Sequence, residues 1–392
     1  MTPSTLPSRA DIAPFRVMEV MRRAAERVAA GDDVVHLEVG QPGTGAPAGV
    51  VAAAHRALDE DVLGYTVALG LPELRTAIGG HLNSWYGVDV DPGRIVVTQG
   101  SSGAFVFAFL ASFAAGSRVG VPAPGYACYR NMLTALDIEV VDLRVGADEG
   151  YVLRPHHLDA AGDLDGVIVA SPNNPTGTML DADELADVAS WCADHDVTLI
   201  SDEIYHGITF TTPAATAIGL PGDPIVVNSF SKYFSMTGWR LGWMVVPEHL
   251  VTPIERLAQN LTIAPSSLSQ RAALAAFDCT EELEANVARY RLHRGLLLDG
   301  LAELGFTDLA PADGAFYVWA DVAHLGIDSE TLCARWLDEL GVATTPGVDF
   351  DPIAGHRAVR FSFAGTTEDV HEALRRLATW PDLKPRSDTM ST

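Results

Sequence analysis

Residues 166–205 read GVIVASPNNPTGTMLDADELADVASWCADHDVTLISDEIY. Two short apolar, β-branched runs, Gly166–Ser171 and Thr198–Asp202, flank a stretch with helical periodicity, Asp181–Asp194. Asp181 and Glu184 stand three residues apart at its start, the N-cap and N3 pair of a capping box. The runs are apolar throughout, so both faces of each strand must be covered, as in a parallel sheet between helical layers. Five more such runs surround this unit: Arg94–Gln99, Arg118–Pro122, Glu139–Leu143, Pro224–Ser229 and Leu241–Val246, with a further helical stretch at Ala104–Ala115. The expectation is an α/β fold on a mostly parallel sheet.

Beyond Val246 the pattern changes. Glu281–Leu304 predicts one long helix, with Leu283, Val287, Leu297, Leu298 and Leu301 as its apolar positions. A strand follows at Gly314–Ala320, a helix at Ser329–Leu340, short strands near Val342 and at Val359–Phe363, and a last helix. The helix Val17–Ala30 needs a surface to bury and is assigned to the same part. The chain then divides into an N-terminal arm (1–45), a large domain (46–285) and a second, smaller α+β domain (286–385) that the arm joins.

The 392 residues, 48% hydrophobic and 20% charged, suffice for a large core and exclude wholesale disorder. A net charge of −25 repels phosphate backbones and anionic bilayers, so neither nucleic acid nor membrane is expected as a partner. Cys128, Cys192, Cys279 and Cys333 are scattered without metal-binding spacing and read as reduced thiols. His156–His157 has no partner at metal spacing, so no metal is expected. The opening MTPSTLPSRADIAPF lacks a signal-peptide core, and Ala104–Ala115 is too short to span a bilayer; a cytoplasmic protein is expected. Among the 26 basic residues only Lys232 and Lys384 are lysines. Lys384 falls in the polar tail PDLKPRSDTMST, where a solvated charge is the plain reading. Lys232 sits inside NSFSKYFSMTGWR, and a lysine can lose its proton where an arginine cannot.

Ligands of open α/β sheets bind beyond the carboxyl ends of the strands. There the sequence places GSSGA (Gly100–Ala104), PAPGY ending at Tyr126, SPNNPTG (Ser171–Gly177), DEIY (Asp202–Tyr205) and SFSK (Ser229–Lys232), then TGWR ending at Arg240. Each has a plain alternative. Gly100 and Gly103 can make a tight βα turn, NNPTG a turn before the capped helix, and Asp202 a helix cap; His206 reads as a surface or packing residue. Arg240 can be a surface charge, and Arg360 of VRFSF an exposed strand residue. Together they ask for one ligand. It has a phosphate for Gly100–Ala104, Ser229 and Arg240, a flat ring for Tyr126, and a basic ring nitrogen for Asp202. A ring hydroxyl would meet Asn174 and Tyr205, and an aldehyde would meet Lys232. Pyridoxal 5′-phosphate (PLP) fits every one of these.

SPNNPTG, SDEIY and SFSKYFSMTGWRLGW, in this order and spacing, resemble the motifs of the class I/II aminotransferases of PLP fold type I, nearest the bacterial aspartate-aminotransferase-like branch. The likeness runs from about Gly40 to Phe363. It implies a large PLP-binding domain with a seven-stranded sheet, in line with the seven runs, and a homodimer with active sites at the subunit interface. It implies an aminotransferase of amino acid metabolism that moves an amino group from an L-amino acid to a 2-oxo acid by a ping-pong mechanism through a Lys232 Schiff base. Asp202 would pair with the pyridinium nitrogen, Asn174 and Tyr205 would bond the ring oxygen, and Tyr126 would stack on the ring. Ser101, Ser102, Gly103, Ala104, Ser229, Ser231 and Arg240 would hold the phosphate, with Tyr65 of the partner subunit. Arg360 and Gly40, beside Tyr126 and Asn174, would bind the substrate, Arg360 through its α-carboxylate.

The sequence also departs from the pattern. Tyr126 stands where several relatives nearest the aspartate enzymes have Trp, and GQPGTGAP lacks an Asp-Phe pair common in the family. No second arginine is assignable to a side-chain carboxylate; Arg16 and Arg130 are the candidates. The competing chemistry is a PLP-dependent cysteine-conjugate β-lyase, which would use the same residues. A non-catalytic PLP-binding regulator is opposed by the charge and by a fold that begins near residue 15.

Overall fold

All seven apolar runs enter one sheet. The computed structural model describes residues 8–383, so Lys384 and the tail lie outside the described residues. After β1 (Val35–His36), which belongs to the smaller part of the molecule, come β2 (Ile95–Thr98), β3 (Arg118–Ala123), β4 (Glu139–Arg144) and β5 (Gly166–Ala170). Then follow β6 (Thr198–Asp202), β7 (Ile225–Ser229) and β8 (Gly242–Val245). The sheet order is β2–β8–β7–β6–β5–β3–β4, with β8 antiparallel to both its neighbours and the other pairs parallel.

The strands feed two cores by simple alternation of side chains. Val96, Ile168, Ile200, Val227 and Met244 share a core with Phe105 and Phe109 of the helix Gly100–Ser112. Their neighbours Val97, Val167, Val169, Leu199, Val226 and Val245 share the other with Leu185 and Val188 of the helix Ala182–Asp194. Double coverage explains why these strands read as unbroken apolar runs. The capping box forms as read: Asp181 Oδ1 accepts from Glu184 N at 2.8 Å, and Glu184 Oε2 from Asp181 N at 3.1 Å. The helix expected at Ala104–Ala115 starts earlier, at Gly100, so the Gly/Ser segment is its first turn.

Sheet order reverses between β3 and β5, since β4 lies on one side of β3 while β5, β6 and β7 lie on the other. That reversal opens a crevice beyond the strand ends, the usual ligand position in such sheets. The loops leaving β3 and β5 carry Tyr126 and Ser171–Gly177 to it.

The smaller part contains β9 (Tyr317–Asp321), β10 (Val342–Ala343), β11 (Thr345–Pro346) and β12 (Ala358–Ser362). β11, β12 and β9 form an antiparallel sheet, and β1 pairs in parallel with β10. The long helix spans Thr280–Glu303. The strand expected from Gly314 begins only at Tyr317, because Ala315 N bonds Ile208 O (2.9 Å) and Gly314 bridges Thr209. The helix expected over Ser329–Leu340 is α-helical to Arg335 and widens into a π turn over Trp336–Leu340.

The N-terminal helix, Arg16–Ala29, lacks a side-chain cap of its own. Asp349, from the 3₁₀ turn after β11, supplies one: its carboxylate accepts from Arg16 N at 3.0 Å and Val17 N at 3.3 Å. Two free N–H groups are thereby satisfied from across the tertiary structure. Replacement Asp349→Ala should cost about 1 kcal/mol at this helix start. Amide exchange over residues 16–22 should quicken while β5 and β6 stay protected; unchanged exchange would show that this cap contributes nothing.

Candidate active site

The strand-end loops, the N-terminal helix and β12 enclose a cavity of about 280 Å³. Eleven of the residues singled out in the sequence line it: Gly40, Ser101, Ser102, Tyr126, Asn174, Asp202, Tyr205, Ser231, Lys232, Arg240 and Arg360.

Lys232 Nζ donates to the Gly40 carbonyl at 2.6 Å and lies 5.5 Å from the Tyr205 ring. Burial, then the nearby Arg360 and Arg240 charges, push its ammonium down to about 8 against the opposing pull of Asp202. Gly40 has no room for a side chain: a Cβ there would sit 1.7 Å from the Tyr317 hydroxyl.

Asp202 ends β6 and is 3% exposed. Its Oδ1 accepts from Ile204 N at 3.1 Å, and the Tyr129 hydroxyl donates to Oδ2. Burial raises this carboxyl to about 6 even against those two donors. Asp202 therefore caps the turn that follows, as its plain reading had it, and faces the cavity as well. Tyr205 and Tyr317 bring their hydroxyls within 2.7 Å of each other.

Arg360 is buried, 2% exposed, which removes the exposed-strand alternative. Its Nη1 donates to Asn174 Oδ1 at 2.9 Å and its Nη2 to the Glu38 carbonyl and to Thr345 Oγ1. The Tyr317 and Phe350 rings lie 4.4 and 4.6 Å from the guanidinium carbon. Its buried Nε has no protein acceptor.

At the other end, Arg240 stands exposed at the cavity mouth beside the first turn of the helix Gly100–Ser112. Gly100 has φ +70°, and a Cβ there would meet Arg240 Nη2 at 2.6 Å. Ser229 does not line the cavity; its hydroxyl is 2.6 Å from that of Ser231, which does. Gly103 and Ala104 lie behind Ser101 and Ser102 in the helix and do not line it either. Tyr65 is 85% exposed, away from this chain's own cavity. Arg16 pairs with Glu330 (2.6 Å) and Arg130 with Asp142 (2.5 Å), and neither lines the cavity.

Tyr129, Tyr317 and the wall of Phe15, Val17, Met18 and Met132 were not singled out in the sequence. Tyr129 was within reach of sequence reasoning, because it follows Tyr126 by three residues at the start of the helix Ala127–Ala135 and so shares its face. Tyr317 and the N-terminal wall arrive through tertiary packing and leave no local signal. His156 and His157 do find a partner: Glu149 lies 3.0 Å from one imidazole and 2.7 Å from the other. The partner comes from the preceding 3₁₀ turn (Ala147–Glu149), beyond the spacing the sequence reading allowed. Arg154 donates to the Glu149 backbone carbonyl at 3.0 Å, and its charge, felt at the carboxylate, opposes a cation there.

The family described as Aminotransferase class I and II matches residues 32–377. The chain belongs to this family. The valine–pyruvate aminotransferase of Mycobacterium tuberculosis is 49% identical, covering 95% of this chain and 97% of its own. The aspartate/prephenate aminotransferase of Thermus thermophilus is 34% identical over 93% and 95% of the two chains. Among solved structures, an aminotransferase from M. tuberculosis superposes with TM-score 0.94 at 48% identity, covering 96% of this chain and 99% of that one. The aspartate aminotransferase from T. thermophilus with maleate gives 0.90 at 32% identity, over 96% and 99%. This aminotransferase is PLP-dependent and transfers an amino group between an amino acid and a 2-oxo acid. Its family and named relatives do not favour the lyase alternative.

Two titrations test the electrostatics of the cofactor-free aminotransferase. Acylation of Lys232, separated from Lys384 by peptide mass, should reach half its limiting rate near pH 8; a midpoint above 10 would contradict the burial described. Tyr129→Phe should raise the Asp202 carboxyl further above about 6, read as an infrared carboxyl band absent from Asp202→Asn. An unchanged titration would remove Tyr129 from the account.

Proposed function

We propose that this cavity holds PLP through Lys232 and that the enzyme takes the amino group of an uncharged, aliphatic L-amino acid and passes it to a small 2-oxo acid such as pyruvate. The observation that carries the reading is that Lys232 shares one cavity with Asp202, Asn174, Tyr205 and Arg360, where burial pushes its ammonium down to about 8. The residues fit the cofactor. A buried carboxylate such as Asp202 calls for a cation, which a protonated ring nitrogen supplies. The helix start at Gly100, with Ser101, Ser102, Ser231 and Arg240, suits a phosphate. Ser229, Gly103 and Ala104 support that end from behind, and Tyr65 would come from the partner subunit. Tyr126 would stack on the ring, and Asn174 and Tyr205 would bond its oxygen.

Bound there, PLP supplies the electron sink that acidifies the Cα–H bond of the amino acid. Arg360 and the Gly40 backbone hold the α-carboxylate, and the unpaired Nε–H of Arg360 is a donor in reserve for it. Lys232, neutral above about pH 8, takes the proton at Cα and returns it to the product. Phe15 and Tyr126, edge to face with ring centres 5.8 Å apart, close the open side against water.

The donor class rests on the apolar part of the cavity lining. Phe15, Val17, Met18 and Met132 are apolar, and both candidate arginines are paired elsewhere. The valine–pyruvate relative points the same way. A second copy of the chain is the partner we propose. Val62, Tyr65, Val67, Leu261 and Ile263 are exposed, by 99%, 85%, 56%, 57% and 49%. The segments that carry them meet beside the cavity, through Thr66 to Gln270 and Gln99 to Ala264. Such a patch exceeds what scattered surface residues give and suits a homodimer interface. All four cysteines are free, and no described helix is long and apolar enough to cross a membrane, which agrees with the cytoplasmic reading.

Steady-state rates with a donor series and pyruvate test the proposal. L-Valine should exceed L-aspartate in kcat/KM by at least about 100-fold, since a side-chain carboxylate would be left unpaired against an apolar wall. Aspartate turning over as well as valine would overturn the substrate class, and a cofactor band that persists while a cysteine S-conjugate releases ammonia and pyruvate would restore the lyase.

A further inference from the structure

Behind the cavity runs a line of hydrogen bonds that the reaction does not use. Tyr86 ends the helix Pro72–Tyr86, and its hydroxyl lies 2.6 Å from His206 Nδ1. His206 Nε2 lies 2.9 Å from the Ser171 carbonyl oxygen, and the imidazole is 2% exposed. A carbonyl oxygen only accepts, so Nε2 must carry the proton. Nδ1 is then the bare nitrogen, and the phenol 2.6 Å away must donate to it. The contacts leave one tautomer. Burial pushes the His206 imidazolium down to about 3, so the ring is neutral.

The neighbouring acid does not compete. Glu203 is buried, and its carboxylate accepts from Ala217 N (2.7 Å), Thr216 Oγ1 (2.9 Å) and Ser201 Oγ (3.1 Å). Its closest approach to His206 Nδ1 is 3.4 Å, longer than the phenol contact. Ser171 opens the loop that carries Asn174. Pro172 follows it and brings no N–H, while Asn173 and Gly177 close the loop's far end by their own backbone bonds. The near end depends on what holds Ser171. There the backbone N–H donates to the Asp202 carbonyl at 3.3 Å, the hydroxyl accepts from Leu180 N at 3.0 Å, and the carbonyl accepts from His206.

We propose that Tyr86 locks His206 in the Nε2–H tautomer, and that His206 acts as a positioning residue, fixing Ser171 and through it Asn174 opposite Arg360. The inference rests on the role given above to Asn174 and Arg360 in holding the substrate. Neither Tyr86 nor His206 lines the cavity, but Tyr205, the neighbour of His206, does, so the variant that keeps an N–H for Ser171 separates an effect through this loop from a disturbance of Tyr205.

The test uses the PLP-loaded enzyme and three variants, Tyr86→Phe, His206→Leu and His206→Gln, with two readouts. The first is the imidazole ¹⁵N signal of His206, identified by its absence in His206→Gln. It should report a protonated Nε2 in the parent and a mixture of tautomers in Tyr86→Phe, whose ring is free to turn Nδ1–H toward Glu203. The second is the split between KM and kcat for the amino donor. Tyr86→Phe and His206→Leu should raise KM about five- to tenfold, the worth of one neutral hydrogen bond, with kcat within about twofold. His206→Gln keeps an N–H at the position of Nε2 and should return KM to within about twofold of the parent. An unchanged tautomer in Tyr86→Phe overturns the lock. A changed tautomer with unchanged KM, or a glutamine variant no better than leucine, overturns the positioning role. If His206→Leu fails to fold, Tyr86→Phe still decides both. Failure of the functional reading shows differently, as absent amino transfer in the parent, and leaves the tautomer result standing.

Discussion

An amine, a carboxylate and a guanidinium share one cavity, and each is tolerable there because of the others and of the groups bonded to it. Asp202 pulls the Lys232 proton on; Arg360 and Arg240 drive it off. The two cations outweigh the one anion, and burial adds to them, so the amine loses its proton near the pH at which an amine base is useful. Asp202 in turn has two donors, Tyr129 and Ile204 N, and Arg360 is spread over Asn174, a backbone carbonyl, Thr345 and two ring faces. The fold supplies this balance by bringing the loops of four parallel strands and one strand of the small sheet to a single crevice. Both cores of the large sheet serve to hold those strand ends in place.

Much of this was legible in the sequence, because the information is local. An apolar run without alternation states that both faces are covered, and an Asp-x-x-Glu pair states where a helix begins; both appear in the structure at the residues read. The polar strand-end motifs named about half of the cavity lining for the same reason, since a strand end fixes where its next few residues must lie. Where the reading failed, the cause was long range. Gly314–Phe316 reads as strand by composition, but its backbone is taken by Thr209 and Ile208. The cap on the N-terminal helix comes from Asp349, more than three hundred residues away. Glu149 reaches His156 and His157 by a turn whose closure no spacing rule contains.

The same division separates chemistry from substrate choice. The groups assigned to chemistry sit on strand ends, which the motifs identify. The apolar side of the cavity comes from Phe15, Val17 and Met18, at the start of the N-terminal helix that Asp349 of the smaller part caps, and from Met132, on the helix that follows β3. Relatives named for valine and for aspartate thus share a fold and a family with this chain at 49% and 34% identity. Residues such as Tyr126, where the sequence departs from the aspartate pattern, lie on that same side, against Phe15.

The most direct measurement is chemical. The PLP-loaded enzyme, reduced with borohydride to fix the cofactor on whatever amine holds it, would be digested and its peptides weighed. With only two lysines in the chain, the answer is unambiguous. The account predicts the added mass on the peptide containing Lys232 and none on that containing Lys384. A cofactor fixed on Lys384, or on no lysine in a folded enzyme saturated with PLP, would contradict the placement of Lys232 from which the rest follows.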